Sequence, residues 1–232
     1  MKGNVFLTGG SGGLGLSVVK ELLARDWQIV ALVHSDSSEK RLKDAFPKGA
    51  LKVVRGSVTN EEDIKAAMNG MNRINALIHL AGGFIGAKNM ADSSVSDFQS
   101  IMNLNTFSGF LLLRNILPIF KRQKGGSVVM IGAKPALYPS GLNAAYAASK
   151  AALTNLVLSA AEEGRSANIR ANVVMPAVID TPDNRKWAND NTPTEKWTSA
   201  NDIATTIAWL ISDQGKSVTG TVLPMFNGFK TF

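Results

Sequence analysis

The chain of 232 residues contains no cysteine, and its only histidines are His34 and His79. Without cysteine it can form no disulfide bond, no thiolate nucleophile and no cysteine-ligated zinc site. Two histidines are too few for a histidine-rich metal centre, so we predict that no metal is bound.

Long uninterrupted apolar runs are also missing. No segment reaches the ~18 uncharged apolar residues that a membrane-spanning helix needs. The first residues, "MKGNVFLTGG", lead directly into a predicted strand and lack the flanks of a signal peptide. We therefore expect a cytoplasmic protein with no membrane partner. Hydrophobic residues make up 45% and charged residues 19% of the chain, which favours one globular domain over 1–232.

The positive charge is scattered along the chain. There are 25 Lys and Arg residues against 18 Asp and Glu residues, a net charge of +7. The densest basic cluster, "KRQK" at 121–124, falls at a predicted helix end, where cations suit the helix dipole. Basic and aromatic residues do not interleave as they do in nucleic-acid-binding modules. We predict no nucleic-acid partner, and a cofactor with several phosphates is a simpler anionic ligand.

Short runs rich in Val, Ile and Leu alternate with longer helical patterns. The predicted strands cover 4–9, 28–34, 50–56, 74–82, 126–132, 169–176 and 221–226. The predicted helices cover 13–25, 60–70, 95–122, 143–164 and 200–213. Nearly continuous apolar strands separated by helices indicate a parallel sheet covered on both faces, a doubly wound α/β fold. Pro224 places the last strand at an edge or a strand end.

A glycine-rich turn, "TGGSGGLG" at 8–15, joins the first strand to the first helix. Gly9 and Gly13 let the backbone turn and approach a pyrophosphate, and Gly15 permits close packing of helix on sheet. The free N–H groups and the positive helix end favour an anion. We therefore predict that a dinucleotide binds here. The candidate contacts in this turn are Gly9, Ser11, Gly13, Leu14 and Gly15.

The end of the second strand, "LVHSDSSEKR", bears on which dinucleotide binds. An acid there would accept hydrogen bonds from the ribose of NAD and repel a 2′-phosphate. Val33 and His34 occupy the deciding positions, and the first acid is Asp36. Nearby groups that could hold a 2′-phosphate are Ser35, Ser37, Ser38, Lys40 and Arg41. The pattern favours NADP and leaves NAD open; His34 either contacts the ribose or faces solvent.

A tyrosine and a lysine stand four residues apart in "GAKPALYPSGLNAAYAASKAAL", on a predicted helix after the fifth strand. Tyr146 and Lys150 therefore share one helix face. A free phenol has a pKa near ~10. A neighbouring ammonium favours the phenolate and would lower that pKa toward the range useful in acid–base catalysis. This spacing in a dinucleotide-binding fold indicates an oxidoreductase.

Together these motifs resemble the short-chain dehydrogenase/reductase family over essentially the whole chain. The resemblance rests on the Thr8-Gly9-x-x-x-Gly13-x-Gly15 turn, "LAGG" at 80–83, Asn105, the Tyr146 and Lys150 pair, and "MPAVIDT" at 175–181. It implies a Rossmann-type strand order 3-2-1-4-5-6-7, a lysine that also binds the nicotinamide ribose, and an asparagine that holds a relay water. The further cofactor contacts that it implies are Ala81, Gly82, Gly83, Pro176 and Thr181.

The departures from the family are informative. Ala133 stands where the family has a serine that polarises the substrate carbonyl, Leu80 replaces an asparagine, and Ser57 replaces an aspartate. "GAKPAL" at 132–137 and "IDTPDNRKW" at 179–187 are similar to the quinonoid dihydropteridine reductases and their bacterial relatives. In that branch an alanine followed by lysine is normal at the serine position. The acid that selects NADH in that branch falls on Val33 here.

Three features concern the substrate and the assembly. The candidate substrate contacts are Ala133, Lys134 next to it, and Ser140, six residues before Tyr146. Lys134 could instead face solvent, and Ser140 could instead form the turn. The polar segment 182–198 would form a substrate lid, in which Trp187 stacks on a flat ring or packs the lid onto the body. The helix predicted at 143–164 is apolar on most sides, and with the resemblance it indicates a homodimer or homotetramer.

The sequence supports two hypotheses about function, each from a different class of protein. The first is an NAD(P)-dependent reductase for a small carbonyl or a conjugated quinonoid or imine acceptor, such as a quinonoid dihydropteridine. In this hypothesis Tyr146 donates the proton and Lys150 tunes it, with Asn105 in support. The second is a non-catalytic dinucleotide-binding sensor or regulator. Ala133 favours the sensor, whereas the tyrosine–lysine pair favours the enzyme.

Overall fold

The computed structural model of the protein describes residues 3–47, 49, 51–86, 88–139 and 141–228. A seven-stranded parallel sheet has the order β3-β2-β1-β4-β5-β6-β9, and β7 pairs with β8 in a separate two-stranded ribbon. The strands are β1 (Gly3–Thr8), β2 (Trp27–Val33), β3 (Leu51–Arg55), β4 (Ala76–His79), β5 (Gly126–Ile131), β6 (Ile169–Pro176), β7 (Ile179–Asp180), β8 (Thr198–Ser199) and β9 (Val222–Met225). The predicted strand order is confirmed.

Helices cover both faces of the sheet. They are α1 (Gly13–Ala24), α2 (Asp36–Ala45), α3 (Glu61–Met68), α4 (Val95–Met102), α5 (Ser108–Gln123), α6 (Ala144–Gly164), α7 (Pro182–Arg185) and α8 (Ala200–Ile211). One apolar core lies under α3, α5 and α6, with Leu112 and Val157 fully buried. The other lies under α1, α2 and α8, with Val18 and Ile207 fully buried. The doubly wound α/β fold is therefore as predicted.

The edge position predicted from Pro224 is confirmed. The last strand of the large sheet, β9, pairs only with β6, and Pro224 lies opposite Met175 in that register. An edge strand tolerates proline because one side of its backbone has no partner strand.

Two parts of the helix prediction were wrong. No helix was predicted between the second and third strands, where α2 lies; among its residues only Leu42 is buried, so it has almost no apolar stripe. The single helix predicted over 95–122 is instead two helices separated by a π-helical turn, Asn103–Phe107. This wider turn places Asn105 in the interior of the protein. Such turns inside helices are frequently found at functional sites.

The apolar stripe of α6 faces the body of the protein. Leu153, Val157 and Ala160 are buried in the core beneath the sheet. The predicted homodimer or homotetramer stays a prediction. Within the described ranges no helix is long and apolar enough to cross a membrane.

Candidate active site

The glycine-rich turn lies against the loop that follows β4. Gly9 has a positive φ of 75°, and a Cβ on it would stand 2.4 Å from the backbone nitrogen of Ala81. A side chain at this position would therefore clash with main chain, which explains the glycine. Gly12 precedes α1 without any side-chain cap, so the first N–H groups of that helix face outward. Such a helix start suits a phosphate.

A cleft of about 470 Å³ opens beside this turn at the carboxyl edge of the sheet. It brings together five predicted cofactor residues, Gly9, Ser11, His34, Ala81 and Gly82. Ligands of open α/β sheets bind at this edge, and the volume lies in the range of ordinary ligand sites. The residues present fit a dinucleotide.

The other predicted residues of the turn have packing roles. A Cβ on Gly15 would lie 2.2 Å from the carbonyl oxygen of Gly9, and one on Gly13 would lie 2.7 Å from the Cβ of Thr181. The side chain of Leu14 is in the apolar core, so only its main chain can face a ligand. Thr181 packs on the turn and caps α7, since its Oγ1 accepts from the Asn184 N–H at 3.2 Å.

The sequence prediction did not name Arg55, the last residue of β3. His34, which lines the cleft, is exposed directly after β2. In the sheet register Arg55 lies opposite Val33, and its guanidinium forms an ion pair with Asp36. Ser35 caps α2 by accepting from the Ser38 N–H at 3.2 Å. The acid nearest to the deciding position is therefore neutralised by a cation from the neighbouring strand, a pairing that only the register reveals.

Tyr146 and Lys150 lie on α6, one turn apart. Lys150 is buried, and its Nζ donates to the carbonyl of Ile131 at 2.9 Å. A Cβ on Gly82 would be 3.2 Å from that Nζ, so the ammonium reaches the cleft. The ring of Tyr146 meets the exposed ring of Phe84 edge to face, with centroids 5.0 Å apart. Phe84 was not among the predicted site residues; its position directly after "LAGG" was the available signal.

Burial dominates the charge states of this pair. It raises the pKa of Tyr146 to about 12 and lowers the pKa of Lys150 to about 8. The sequence had led us to expect a lowered tyrosine pKa; the direction here is opposite because desolvation penalises the phenolate and the ammonium points to Ile131. At neutral pH Tyr146 is a neutral phenol and Lys150 is mostly an ammonium.

Asn105 joins the π-helical turn to the loop after β4. Its Oδ1 accepts from the Gly83 N–H at 2.9 Å, and its Nδ2 donates to the Gly83 carbonyl at 3.1 Å and to Ser149 Oγ at 3.0 Å. Ser149 in turn donates to the carbonyl of Tyr146 at 2.8 Å. Asn105 therefore orients both the 82–83 loop and the start of α6. Its role with a relay water stays a prediction.

The predicted substrate residues lie on two further segments. Ala133 is buried directly after β5, and Lys134 begins a 3₁₀ turn with its Nζ 5.8 Å from the ring centroid of Phe226. In 182–198, exposed Trp187 packs on buried Trp197, with centroids 5.0 Å apart. This contact joins two parts of the segment itself, and buried Trp197 anchors its end in the body of the protein. Ser140 lies outside the described residues.

The sequence model of the short chain dehydrogenase family matches residues 3–192. The chain belongs to the short-chain dehydrogenase family. This match confirms the resemblance drawn from the motifs and makes the chain a member of an oxidoreductase family.

Three similar proteins illustrate the range of this family. YtkK of Bacillus subtilis (strain 168), whose name describes it as an oxidoreductase, is 31% identical over 243 residues, covering 97% of this chain and 95% of its own. The dihydropteridine reductase of Dictyostelium discoideum is 24% identical over 234 residues, covering 96% and 94%. Among solved structures, "ElxO with NADP Bound" has a TM-score of 0.91 at 24% identity and covers 99% of each chain, which shows a shared fold.

These similarities do not single out one branch. The dihydropteridine reductase shares a smaller fraction of residues with this short-chain dehydrogenase than YtkK does. The likeness to the dihydropteridine reductase branch therefore stays a prediction that rests on the motifs around Ala133.

The lowered pKa of Lys150 can be measured without any assumption about substrate. In protein labelled with carbon-13 at the lysine ε-carbon, we expect one resonance to titrate at about pH 8 and to vanish in Lys150→Arg. Lys65, whose hydrogen bond to Glu62 raises its pKa, is the internal reference and should titrate above the ordinary lysine value. If the Lys150 resonance titrates with or above that of Lys65, desolvation does not control this ammonium.

Proposed function

We propose that this chain is a nicotinamide-dependent reductase that passes hydride from NADPH or NADH to a carbonyl or to a conjugated quinonoid or imine acceptor. One observation carries the proposal. Lys150, one turn beyond Tyr146 on α6, extends its ammonium to Gly82, which lines the cleft beside the glycine-rich turn. The tyrosine–lysine pair and the cleft beside the glycine-rich turn thus meet at one edge of the sheet, where dinucleotides bind in this kind of fold.

The glycine-rich turn supports the cofactor part of the proposal. The main-chain N–H groups around Ser11 and Gly12 would hold the pyrophosphate, with Gly9 allowing its close approach. Lys150 would donate to the nicotinamide ribose. When bound, the nicotinamide supplies the hydride. A protein of the same fold, ElxO, has NADP bound in its structure.

Tyr146 would supply the proton that accompanies hydride transfer. With its pKa raised to about 12, the phenol keeps its proton at neutral pH and can act only as a donor. An acceptor that has gained hydride carries negative charge and takes this proton from Tyr146 Oη. The ammonium of Lys150 would stabilise the remaining phenolate after it turns from the Ile131 carbonyl toward Tyr146. Phe84 packs against the phenol ring and keeps water from that side.

The alanine at position 133 supports a conjugated acceptor. Reduction of a simple ketone places negative charge on one oxygen, and losing one of its two hydrogen-bond donors costs about 10²–10³ in rate. Ala133 is buried and offers no donor. A quinonoid or imine acceptor spreads the charge over several atoms, so Tyr146 can suffice. A quinonoid dihydropteridine has this chemistry.

The ribose end of the cleft supports NADP over NAD. Arg55 lies opposite Val33 and forms an ion pair with Asp36, so the carboxylate there is already neutralised. The Ser35 hydroxyl caps α2 beside the same edge. A 2′-phosphate would therefore meet hydroxyl groups and an arginine rather than an unpaired acid.

The proposed reaction is tested by the two tyrosines of the chain. Tyr146→Phe removes the proton donor, so we expect oxidation of NAD(P)H by a quinonoid dihydropterin, or by a ketone or quinone panel, to slow by about 10²-fold or more. Tyr138→Phe is the matched control, since the exposed Tyr138 packs on Phe226 and not on Lys150. Its rate should stay within about twofold of the unaltered protein.

Two results would contradict this proposal. The first is equal activity of Tyr146→Phe and Tyr138→Phe, which would remove Tyr146 from the reaction. The second is tight binding of the dinucleotide without turnover of any acceptor, which is the outcome expected of a sensor. The buried Ala133 is the observation that favours that alternative.

A serine at position 133 tests the acceptor class. Ala133→Ser adds the missing donor, so we expect kcat/KM for simple ketones to rise by about 10-fold or more. The value for a quinonoid acceptor should change by less than about threefold, because its charge is already spread. Ala136→Ser, in the neighbouring 3₁₀ turn, controls for an added hydroxyl. If Ala133→Ser leaves kcat/KM for simple ketones unchanged, the argument from the distribution of negative charge is wrong.

Side-by-side fluorescence titrations with NADPH and NADH test the cofactor preference. We expect the dissociation constant for NADPH to be about 10-fold lower, the effect of one hydrogen bond to a charged group. Arg55→Gln should remove that difference, whereas Arg73→Gln, exposed at the opposite edge of the sheet, should not. A tighter complex with NADH in the unaltered protein would reverse the assignment.

A further inference from the structure

A chain of hydrogen bonds runs beneath the active site through side chains that the proposed reaction does not use. Thr8 Oγ1 lies 2.7 Å from His79 Nδ1, and His79 Nε2 lies 3.1 Å from Ser108 Oγ. Ser108 Oγ donates to the carbonyl of Leu104 at 2.5 Å. Thr8, His79 and Ser108 are each at most 1% exposed, so the chain is closed to solvent.

The geometry assigns the direction of every hydrogen bond in this chain. A serine hydroxyl has one proton, and Ser108 uses it on Leu104, so Ser108 must accept from His79 Nε2–H. The neutral ring then has a bare Nδ1, which accepts from the Thr8 hydroxyl. Burial, together with the charge of Lys150, lowers the pKa of His79 to about 3, so the ring is neutral.

The two ends of this hydrogen-bond chain lie next to the glycine-rich turn and next to Asn105 in the π-helical turn. Thr8 is the last residue of β1 and directly precedes Gly9 of the glycine-rich turn. Leu104 lies in the π-helical turn and directly precedes Asn105, which holds Gly83. His79 joins the two ends, because its ring contacts both hydroxyls.

We propose that His79, as a neutral imidazole protonated on Nε2, is a positioning residue that holds the glycine-rich turn and the Asn105 turn at a fixed separation. This inference rests on the proposed function, because the separation matters for hydride transfer between a dinucleotide on one turn and an acceptor beside the other. His79 touches neither ligand; it acts through Thr8 and Ser108.

The assigned tautomer is tested without any substrate. The protein has only two histidines, so nitrogen-15 histidine spectra contain the signals of two rings. The signals that remain in His34→Gln belong to His79. We expect His79 to show the Nε2–H tautomer and no titration between about pH 5 and pH 8. Ser108→Ala should shift its Nε2 resonance. An Nδ1–H tautomer, or a ring that titrates in this range, would overturn the proposal.

The positioning role is tested by comparing kcat with cofactor affinity. Ser108→Ala breaks the chain on the Asn105 side only, so we expect kcat to fall by about 3- to 10-fold while the NADPH dissociation constant stays within about twofold. Ser127→Ala is the matched control: it is a buried serine at the opposite edge of the sheet and should leave kcat unchanged. Equal kcat values for the two variants would overturn the proposal.

Two substitutions of the histidine separate positioning from packing. His79→Gln can place an N–H near the position of Nε2, so it should recover at least part of the kcat that His79→Leu loses. If both variants lose stability equally and kcat equally, His79 only fills space. Should the unaltered protein reduce no acceptor, the proposed function fails. In that case Ser108→Ala must still shift the His79 spectrum, and both Ser108→Ala and His79→Leu must shift the NADPH-bound spectrum of the Asn105 amide, or the positioning proposal fails as well.

Discussion

The contact between Gly9 and Ala81 is the constraint on which the rest of the site depends. A side chain at position 9 would overlap the Ala81 main chain, so the two loops meet backbone to backbone. This approach places the glycine-rich turn beside residues 82–83. Lys150 reaches that loop from α6, and Asn105 in the π-helical turn forms hydrogen bonds with it. Three distant segments therefore converge on one edge of the sheet.

Burial at this edge of the sheet sets the charge states of its ionisable side chains. Desolvation opposes charge on both Tyr146 and Lys150, raising one pKa and lowering the other. The phenol is therefore protonated at neutral pH, while the ammonium donates to the Ile131 carbonyl. Neutral His79 behind this pair adds no positive charge that would repel Lys150. The site combines a partly buried phenol with a buried ammonium.

The departures from the family pattern have structural counterparts. Ala133 is buried, so the absent hydroxyl is not replaced by solvent at that position. Lys134 is directed over the ring of Phe226, and Tyr138 packs on the same ring. Trp187 packs on Trp197 within the polar segment 182–198.

The sequence by itself determined the alternation of strands and helices, the glycine-rich turn and the spacing of Tyr146 and Lys150, because these depend on local periodicity and on motifs only a few residues long. The strand order followed from the family resemblance and is confirmed by the sheet. The sequence did not predict α2, because that helix is polar and has almost no apolar stripe. It did not predict the π-helical turn either, because one extra residue does not stand out in the apolar spacing of the sequence. Tertiary structure alone decided the direction of the Tyr146 pKa shift and the place of Arg55 opposite Val33. Desolvation and strand register arise only when segments far apart in the chain pack together.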